Sequence, residues 1–219
     1  MAAMGMGERM PRPASHAGLV APDRAWFRRD PVALAPLLLG AVLAYDAEDG
    51  RVAVRLSEVE AYRGVGVDPG SHAFRGRTAR NAVMFGEGGH LYAYFTYGMH
   101  VCLNVVAGEA GTSAGILLRG GTVVDGLDLA RSRRPRSTDR DLARGPARLA
   151  QALGVPLAAN GSDLLAAPFS LEVRSAPLAH ETGPRTGISG AGGAASYPWR
   201  FWVPGDPGVS VYRRHPKSH

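Results

Sequence analysis

The chain has 219 residues, of which 45% are hydrophobic, so it can bury one sizeable core and we expect one domain. Its 25 Lys and Arg residues outnumber 19 Asp and Glu residues, and the resulting charge of +6 suits a polyanionic partner, although biased composition explains the same excess. The single cysteine, Cys102, excludes an intramolecular disulfide and a cysteine-based zinc cluster. The longest apolar run, residues 32–45, is too short to span a bilayer, so we expect a cytoplasmic protein without membrane contact.

The first elements can be predicted in chain order. Residues 1–23 are rich in Gly and Pro and lack a continuous apolar stretch, which predicts a disordered leader rather than a secretory signal. Asp30 and Pro31 form the N-cap and first turn of a predicted short helix. Residues 41–45 and 52–62 flank a short polar turn, which predicts an antiparallel hairpin.

Later segments give a mixed pattern. The sequence predicts further strands at residues 91–96, 101–106 and 116–119, and helices at residues 125–131 and 146–153. Beyond Pro156 the pattern weakens into short strands, the last at 200–203 and 209–212, and residues 213–219 read as a basic tail.

The strand predicted at 52–62 changes character along one face. Because side chains alternate with period two, its even positions share a face, which begins apolar and then becomes carboxylate-lined without a change of register: Val52, Val54, Leu56, Glu58, Glu60 and Tyr62. Burying carboxylates is costly, so this pattern indicates a strand that runs from the core into a pocket. The alternative is a solvated strand end.

A second segment, residues 91–104, reads as a tight hairpin that turns near Tyr97. Tyr92 and Tyr94 share one strand face, whereas Tyr97 sits at the tip, where a core residue is not expected. An exposed aromatic there fits a wedge that enters a base stack. The competing interpretation is aromatic packing on a β-surface.

Several short motifs occur in a fixed order from about residue 28 to residue 212. They are Glu58-Val-Glu-Ala-Tyr62, His72, Thr78-Ala-Arg-Asn81, Leu91-Tyr-Ala-Tyr94, Tyr97-Gly-Met99, Asn104, Leu117-Leu-Arg119, Gly145-Pro-Ala-Arg-Leu149, Arg185-Thr-Gly187 and Pro198-Trp-Arg-Phe201. Together they resemble the alkyladenine DNA glycosylase family, also called the 3-methyladenine or methylpurine DNA glycosylases. The resemblance implies a mixed α/β (α+β) fold, a single compact domain over residues 24–212, built around a curved antiparallel sheet with flanking helices and a protruding hairpin.

The resemblance also implies roles for particular residues. Glu60 activates the water that attacks the sugar, and Arg119 helps to hold that water. Tyr62 and Tyr94 stack on the flipped base, with His72 closing the cleft. The remaining implied positions are Asn104 beneath the base, Thr186 with its backbone carbonyl near the water, and Tyr97 with Met99 as the intercalating pair.

The expected partner is double-stranded DNA that contains alkylated or deaminated purines. We expect the protein to bind it as a monomer, without a metal or other cofactor. The expected location is the cytoplasm, in association with a nucleoid. Lys217 is the only lysine and lies in the tail, so no internal amine is available for a Schiff base. We therefore expect a monofunctional glycosylase that leaves an abasic site and does not cut the strand.

Several arginines are candidates for contacts with the DNA backbone. They lie near the predicted pocket and in an arginine-rich loop that spans residues 131–136: Arg75, Arg77, Arg80, Arg133 and Arg134. The same residues are equally consistent with a solvated surface loop that does not contact DNA.

Two rival functions remain open at this point. A non-catalytic protein could recognise distorted duplex with the Tyr97 hairpin and release no base. An enzyme on the same fold could act on a small acyl substrate, since folds host unrelated chemistries. A pocket carboxylate at Glu60 disfavours the first rival, and Tyr97 at the hairpin tip is unexplained by the second.

Overall fold

The computed structural model describes residues 18–96 and 98–219. The strands are β1 (Leu19–Val20), β2 (Val42–Ala47), β3 (Gly50–Tyr62), β4 (Leu91–Thr96), β5 (His100–Ala107), β6 (Ala114–Asp125), β7 (Phe169–Arg174), β8 (Glu181–Gly183) and β9 (Arg200–Trp202). The α-helices are α1 (Pro31–Leu34), α2 (Leu127–Arg133) and α3 (Pro146–Leu153), and short 3-10 turns join several of these elements.

All nine strands belong to one antiparallel sheet, which confirms the predicted α+β domain. The main order is β1-β7-β2-β3-β6-β5-β4, and β9 pairs with β8 and with the far half of β3. The strand β3 is long enough to pair with β2 along its first half and with β9 along its second. It is therefore the central strand from which the site is built.

The helix α3 has the predicted limits, whereas α2 begins and ends two residues later than the predicted 125–131, because Asp125 still belongs to β6. Residues 131–133 of the predicted arginine-rich loop are therefore helical. The Asp30 carboxylate accepts a hydrogen bond from the Val32 amide at 2.9 Å and Pro31 opens α1, which confirms the predicted cap. Pro36 falls in the 3-10 turn that follows α1. The helix α3 ends at Gly154, whose φ of +75° closes the helix in the left-handed conformation.

The core lies between one face of the sheet and the helices. Its buried side chains come from α1, α3 and alternate positions of the central strands, and include Leu34, Leu149, Leu153, Leu103, Val105, Ile116 and Leu118. The helix α3 contributes four buried residues and packs against β5 and β6. This leaves the opposite face of the same strands free to form a site.

The expectation that β3 keeps one register was wrong. Its core face changes from even positions, such as Val54 and Leu56, to the odd positions Val59 and Ala61. Between them Leu56 opposes Gly121, Glu58 opposes Gly120, and Val59 opposes Leu118, so Ser57 of β3 and Arg119 of β6 each have no partner across the pair. This paired bulge turns Glu58 and Glu60 away from the core.

The β4–β5 hairpin is present, and Tyr92 opposes Asn104 while Tyr94 opposes Cys102. Phe95 and Met99 are exposed near its end, at 46% and 68% of their surface. Tyr97, the predicted wedge, lies outside the described residues. The predicted strand at 209–212 is absent from the described part, because the Ser210 amide there donates to the Glu58 carboxylate instead of to a neighbouring strand.

Ordered contacts extend past both predicted domain limits. The strand β1, within the predicted leader, pairs with β7. In the predicted tail, the Ser218 hydroxyl donates to the Gly193 carbonyl at 2.7 Å and Ser218 is buried. Within residues 18–96 and 98–219, no helix is long and apolar enough to cross a membrane.

The paired bulge brings Gly120 against the backbone of residue 208, where an added Cβ would collide with the Gly208 carbonyl oxygen. We expect Gly120→Ala to lower the free energy of unfolding by about 1–3 kcal/mol, as overpacking does. Gly115→Ala, in the same strand, is the matched control because its Cβ would lie 3.5 Å from the nearest atom, in ordinary contact. Urea unfolding checks this, and equal stability of the two variants would contradict it.

Candidate active site

One row of residues crosses the sheet on the face opposite the core. Tyr92 opposes Asn104, Asn104 opposes Leu117, Leu117 opposes Glu60, and Glu60 opposes Arg200. Residues directly opposite each other in a sheet project to the same face. The register therefore brings the carboxylate of β3 to the same side as the aromatic residues of β4.

Glu60 is fully buried and held by three groups. Its Oε2 accepts a hydrogen bond from the Tyr62 hydroxyl at 2.8 Å, and its Oε1 accepts one from the Thr186 amide at 2.7 Å. The Arg119 Nε lies 3.4 Å from Oε1. The predicted alternative of a solvated strand end is therefore wrong for this carboxylate.

Glu58 is buried more tightly between charges. Its Oε1 accepts hydrogen bonds from Arg119 Nε at 2.9 Å and Arg200 Nε at 2.6 Å, and its Oε2 accepts one from the Ser210 amide at 2.7 Å. Burial raises the pKa of Glu58, but the charges of Arg119 and Arg200 and these hydrogen bonds outweigh it and hold the pKa below the usual 4.5.

Arg119 serves both carboxylates. It is 6% exposed, and although burial lowers its pKa, the charges of Glu60 and Glu58 raise the pKa above the ordinary value. The guanidinium also donates to the Ser210 hydroxyl at 3.3 Å. It is therefore a permanent positive charge next to Glu60, as expected for a residue that supports a reacting carboxylate.

A small cavity of about 50 Å³ opens beside Glu60, lined by Tyr62, Gly70, His72, Met84, Tyr92, Tyr94, Asn104 and Ile188. Four of the residues predicted for a base pocket are thus brought together: Tyr62, His72, Tyr94 and Asn104. Thr186 is not part of this lining and instead contacts Glu60.

His72 lies at the mouth of the cavity, edge-on to the Tyr94 ring at 4.6 Å between centroids. Its Nδ1 is 3.1 Å from the Tyr92 hydroxyl. Desolvation beside these rings, and then the positive charge of Arg80, lower the pKa of His72 below 6.5. A neutral ring that accepts the Tyr92 proton at Nδ1 carries its own proton on Nε2, where it can be donated.

Asn104 and the Tyr94 ring are fixed by the sheet around them. The Asn104 side-chain amide donates to the Tyr92 carbonyl at 3.1 Å, which leaves its side-chain oxygen as an acceptor. Tyr92 and Tyr94 are stacked with their centroids 5.5 Å apart. The guanidinium of Arg80 lies 5.7 Å from the centre of the Tyr94 ring.

Sequence reasoning missed the group that supports Tyr62. Arg185 and Asp68 form a buried bidentate ion pair with distances of 2.6 and 2.7 Å. The Arg185 guanidinium lies 4.4 Å from the centre of the Tyr62 ring. Arg185 belongs to a motif that the sequence analysis singled out, but its distant partner Asp68 left no local signal.

The arginines predicted to contact DNA differ in whether their guanidiniums are already bonded to other groups of the protein. Arg133 donates to the carbonyls of residues 152 and 153 and pairs with Asp49, and Arg134 donates to the carbonyls of residues 141 and 142. Both guanidiniums are therefore bonded within the protein. Arg77 lies over the Phe85 ring, and Arg80 donates to the Phe95 carbonyl at 3.1 Å.

Arg75 is exposed, and no hydrogen bond or ion pair joins its side chain to another described residue. It lines a groove of about 440 Å³ that also contains His72, so this groove adjoins the mouth of the cavity. Met99, the second predicted intercalating residue, is exposed on the hairpin. In the described part of the chain, no group of three or more His, Cys, Asp or Glu side chains could hold a metal ion.

This arrangement defines a class of site. A shielded carboxylate supported by a guanidinium and placed beside an aromatic cavity is suited to an enzyme that binds a flat ring and activates water next to it.

The profile of the methylpurine-DNA glycosylase family matches residues 25–207. A protein of Leifsonia xyli subsp. xyli is 57% identical over 94% of this chain and 99% of its own length. One of Streptomyces avermitilis is 49% identical over 90% and 96%, and one of Nocardia farcinica is 52% identical over 86% and 90%. Each is named "Putative 3-methyladenine DNA glycosylase".

The chain belongs to the methylpurine-DNA glycosylase family. It is therefore a DNA glycosylase of base excision repair, a hydrolase of N-glycosidic bonds whose substrate is DNA.

The buried cluster predicts a pH-dependent effect. Because the folded-state pKa of Glu58 is lowered, its stabilisation is fully present above about pH 4.5 and is lost as the pH falls through the folded-state pKa. We expect Glu58→Gln to lower the free energy of unfolding by about 3–5 kcal/mol at pH 7, since it leaves the buried Arg200 guanidinium without its carboxylate and Arg119 with only Glu60. The loss should shrink below about pH 4.5.

Chemical denaturation at neutral and acidic pH measures this difference, with Glu48→Gln, an exposed carboxylate, as the control. A Glu58→Gln loss that is the same at both pH values would show that the charge of Glu58 is not what stabilises the cluster.

Proposed function

We propose that this enzyme flips alkylated or deaminated purines out of duplex DNA and hydrolyses the N-glycosidic bond with Glu60 as general base. The observation that carries the proposal is the buried Glu60 carboxylate, hydrogen-bonded to the Tyr62 ring that lines the aromatic cavity. A purine stacked on Tyr62 would bring its glycosidic bond close to this carboxylate.

The proposed chemistry uses Glu60 in two ways. Breaking the bond to a purine develops positive charge on the sugar, which a nearby carboxylate stabilises while it orients and deprotonates water. The Thr186 amide, at 2.7 Å, fixes one carboxylate oxygen, and Arg119, at 3.4 Å, keeps a positive charge beside it.

Base selection would rest on stacking more than on directional bonds. Tyr62 and Tyr94 both line the cavity, and alkylated purines are electron-poor and already good leaving groups. The buried Asn104 would disfavour the exocyclic amino group of normal guanine. His72 would hydrogen-bond the nucleotide from the cavity mouth.

Flipping costs a few kcal/mol of stacking and pairing, which DNA contacts must offset. We propose Tyr97 and Met99 as the wedge that fills the vacated stack, and the exposed Met99 supports this. Arg75, Arg77 and Arg80 are the proposed phosphate contacts, whereas the internal hydrogen bonds of Arg133 and Arg134 disfavour the arginine-rich loop.

The reaction would use water and leave an abasic site. Among the described residues, the groups that contact Glu60 are Tyr62, Thr186 and Arg119, so no lysine amine is bonded to this carboxylate that could form a Schiff base with the sugar. The enzyme would then be monofunctional, without strand cleavage, and would act as a monomer on nucleoid DNA in the cytoplasm.

The decisive variant is Glu60→Gln. We expect its single-turnover rate of base release to fall by about 10²–10⁴-fold, because a general base contributes that much, while binding of the lesion duplex is retained. The substrate is a duplex with one hypoxanthine or 3-methyladenine-like base, assayed with and without alkali treatment. Glu48→Gln is the matched control.

Strand cleavage that requires alkali in the wild type, and that disappears in Glu60→Gln, would support a monofunctional glycosylase. Cleavage without alkali would contradict the absence of lyase activity. Tight binding by the wild type with no released base would favour the rival reading, a non-catalytic binder of damaged DNA.

Salt dependence tests the proposed phosphate contact of Arg75. We expect Arg75→Gln to weaken duplex binding at all sequences and to reduce the slope of log K against log salt by about 1, the value for one lost contact. Arg174→Gln is the control of equal charge, because Arg174 is exposed on β7, near the sheet edge remote from β4. Equal slopes for the two variants would remove Arg75 from the DNA path.

A further inference from the structure

The wall of the cavity includes a glycine-rich loop, whose backbone has few conformational restrictions of its own. Residues 187–193 read Gly-Ile-Ser-Gly-Ala-Gly-Gly, and Ile188 of this loop lines the cavity. Glycine loses more conformational freedom on folding than any other residue. The loop must therefore be fixed by contacts from other parts of the chain.

One set of contacts comes from the buried ion pair of Arg185 and Asp68. The Arg185 guanidinium, paired with Asp68, donates to the Gly192 carbonyl at 2.7 Å. The next residue, Thr186, gives its amide to Glu60. The residue directly before the loop thus contacts the proposed general base, which links the position of the loop to that of Glu60.

The other set comes from the C-terminal segment, residues 213–219. The Arg213 carbonyl accepts from the Gly187 amide at 2.8 Å, and the Lys217 carbonyl accepts from the Gly190 amide at 2.8 Å. Ser218 is buried, with 7% of its surface exposed, and its hydroxyl donates to the Gly193 carbonyl at 2.7 Å. These bonds are distributed from the first residue of the loop to the last.

We propose that the C-terminal segment positions the base pocket, with the backbone carbonyl at position 217 and the Ser218 hydroxyl holding the loop 187–193 against the cavity. The inference rests on the proposed function, since it assigns the loop as a wall of the purine site. The segment lies beyond residues 25–207, the part that matches the family profile, so membership of the family does not account for it.

Two full-domain variants test this. Removing residues 215–219 deletes the bonds from Lys217 and Ser218 but keeps the Arg213 carbonyl, and Lys217→Gln in the full chain loses the same side-chain charge with the backbone intact. We expect amide exchange in residues 187–193 to quicken at least tenfold in the truncated protein. The enzyme concentration that gives half-maximal single-turnover release should rise about tenfold, as the loss of three hydrogen bonds to the loop, one of them long, implies.

The maximal rate should change less than this concentration, and affinity for undamaged duplex should be equal in the two variants. Ser218→Ala, which removes one bond, should give a smaller shift in the same direction and guards against a truncated chain that does not fold. Normal amide exchange and normal lesion binding in the truncated protein would overturn the inference, as would an equal loss in Lys217→Gln. A wild type that releases no purine would instead overturn the proposed function, whatever the exchange shows.

Discussion

The site depends on the paired bulge in which Ser57 of β3 and Arg119 of β6 stand unopposed. Had β3 kept one register, Glu58 and Glu60 would continue the face of Leu56 and point into the hydrophobic core, where unpaired carboxylates are very costly. The bulge reverses the faces, so the carboxylates turn to the side that carries the tyrosines of β4. It also displaces Arg119 from the regular ladder and sets its guanidinium between the two acids. The extra residue Ser57 is anchored in turn, because its hydroxyl donates to Asp206 at 2.7 Å.

The two buried carboxylates that the bulge turns away from the core have different environments. Glu58 accepts hydrogen bonds from two guanidiniums, which leaves it ionised and immobile. Glu60 accepts hydrogen bonds from two uncharged donors, the Tyr62 hydroxyl and the Thr186 amide. The Arg119 Nε, which donates to Glu58, lies 3.4 Å from the Glu60 Oε1. The cluster of Glu58, Glu60, Arg119 and Arg200 is neutral in sum, so it can be buried without a net charge. Within it, the less saturated carboxylate is the one that stands next to the cavity, which fits a division between a structural acid and a reacting one.

Local signals were sufficient for much of the fold. The cap at Asp30, the limits of α3 and the β4–β5 hairpin follow from short-range chemistry, and the structure has them where the sequence predicts them. The bulge could not be predicted from β3 alone, because alternation of Val54, Leu56 and Glu58 reads the same with or without an inserted residue. Which arginines are free was also hidden, since Arg133 is bonded to carbonyls that are distant in sequence. The site residues themselves came from a series of motifs, and the register then explains why β3, β4 and β5 bring them to one face.

Tyr62 joins the two tasks that the proposed reaction requires. Its hydroxyl is bonded to Glu60, its ring lines the cavity, and the guanidinium of Arg185 lies 4.4 Å from the ring centre. Because Arg185 is held by Asp68 and also anchors the loop that follows Thr186, the stacking surface and the carboxylate share one support. A base that stacks well on Tyr62 would therefore be presented to Glu60 in a fixed geometry, whereas one that stacks poorly would gain little from a cavity with few directional bonds. In the proposed reaction, selection by stacking and activation of water would both depend on the same buried ion pair.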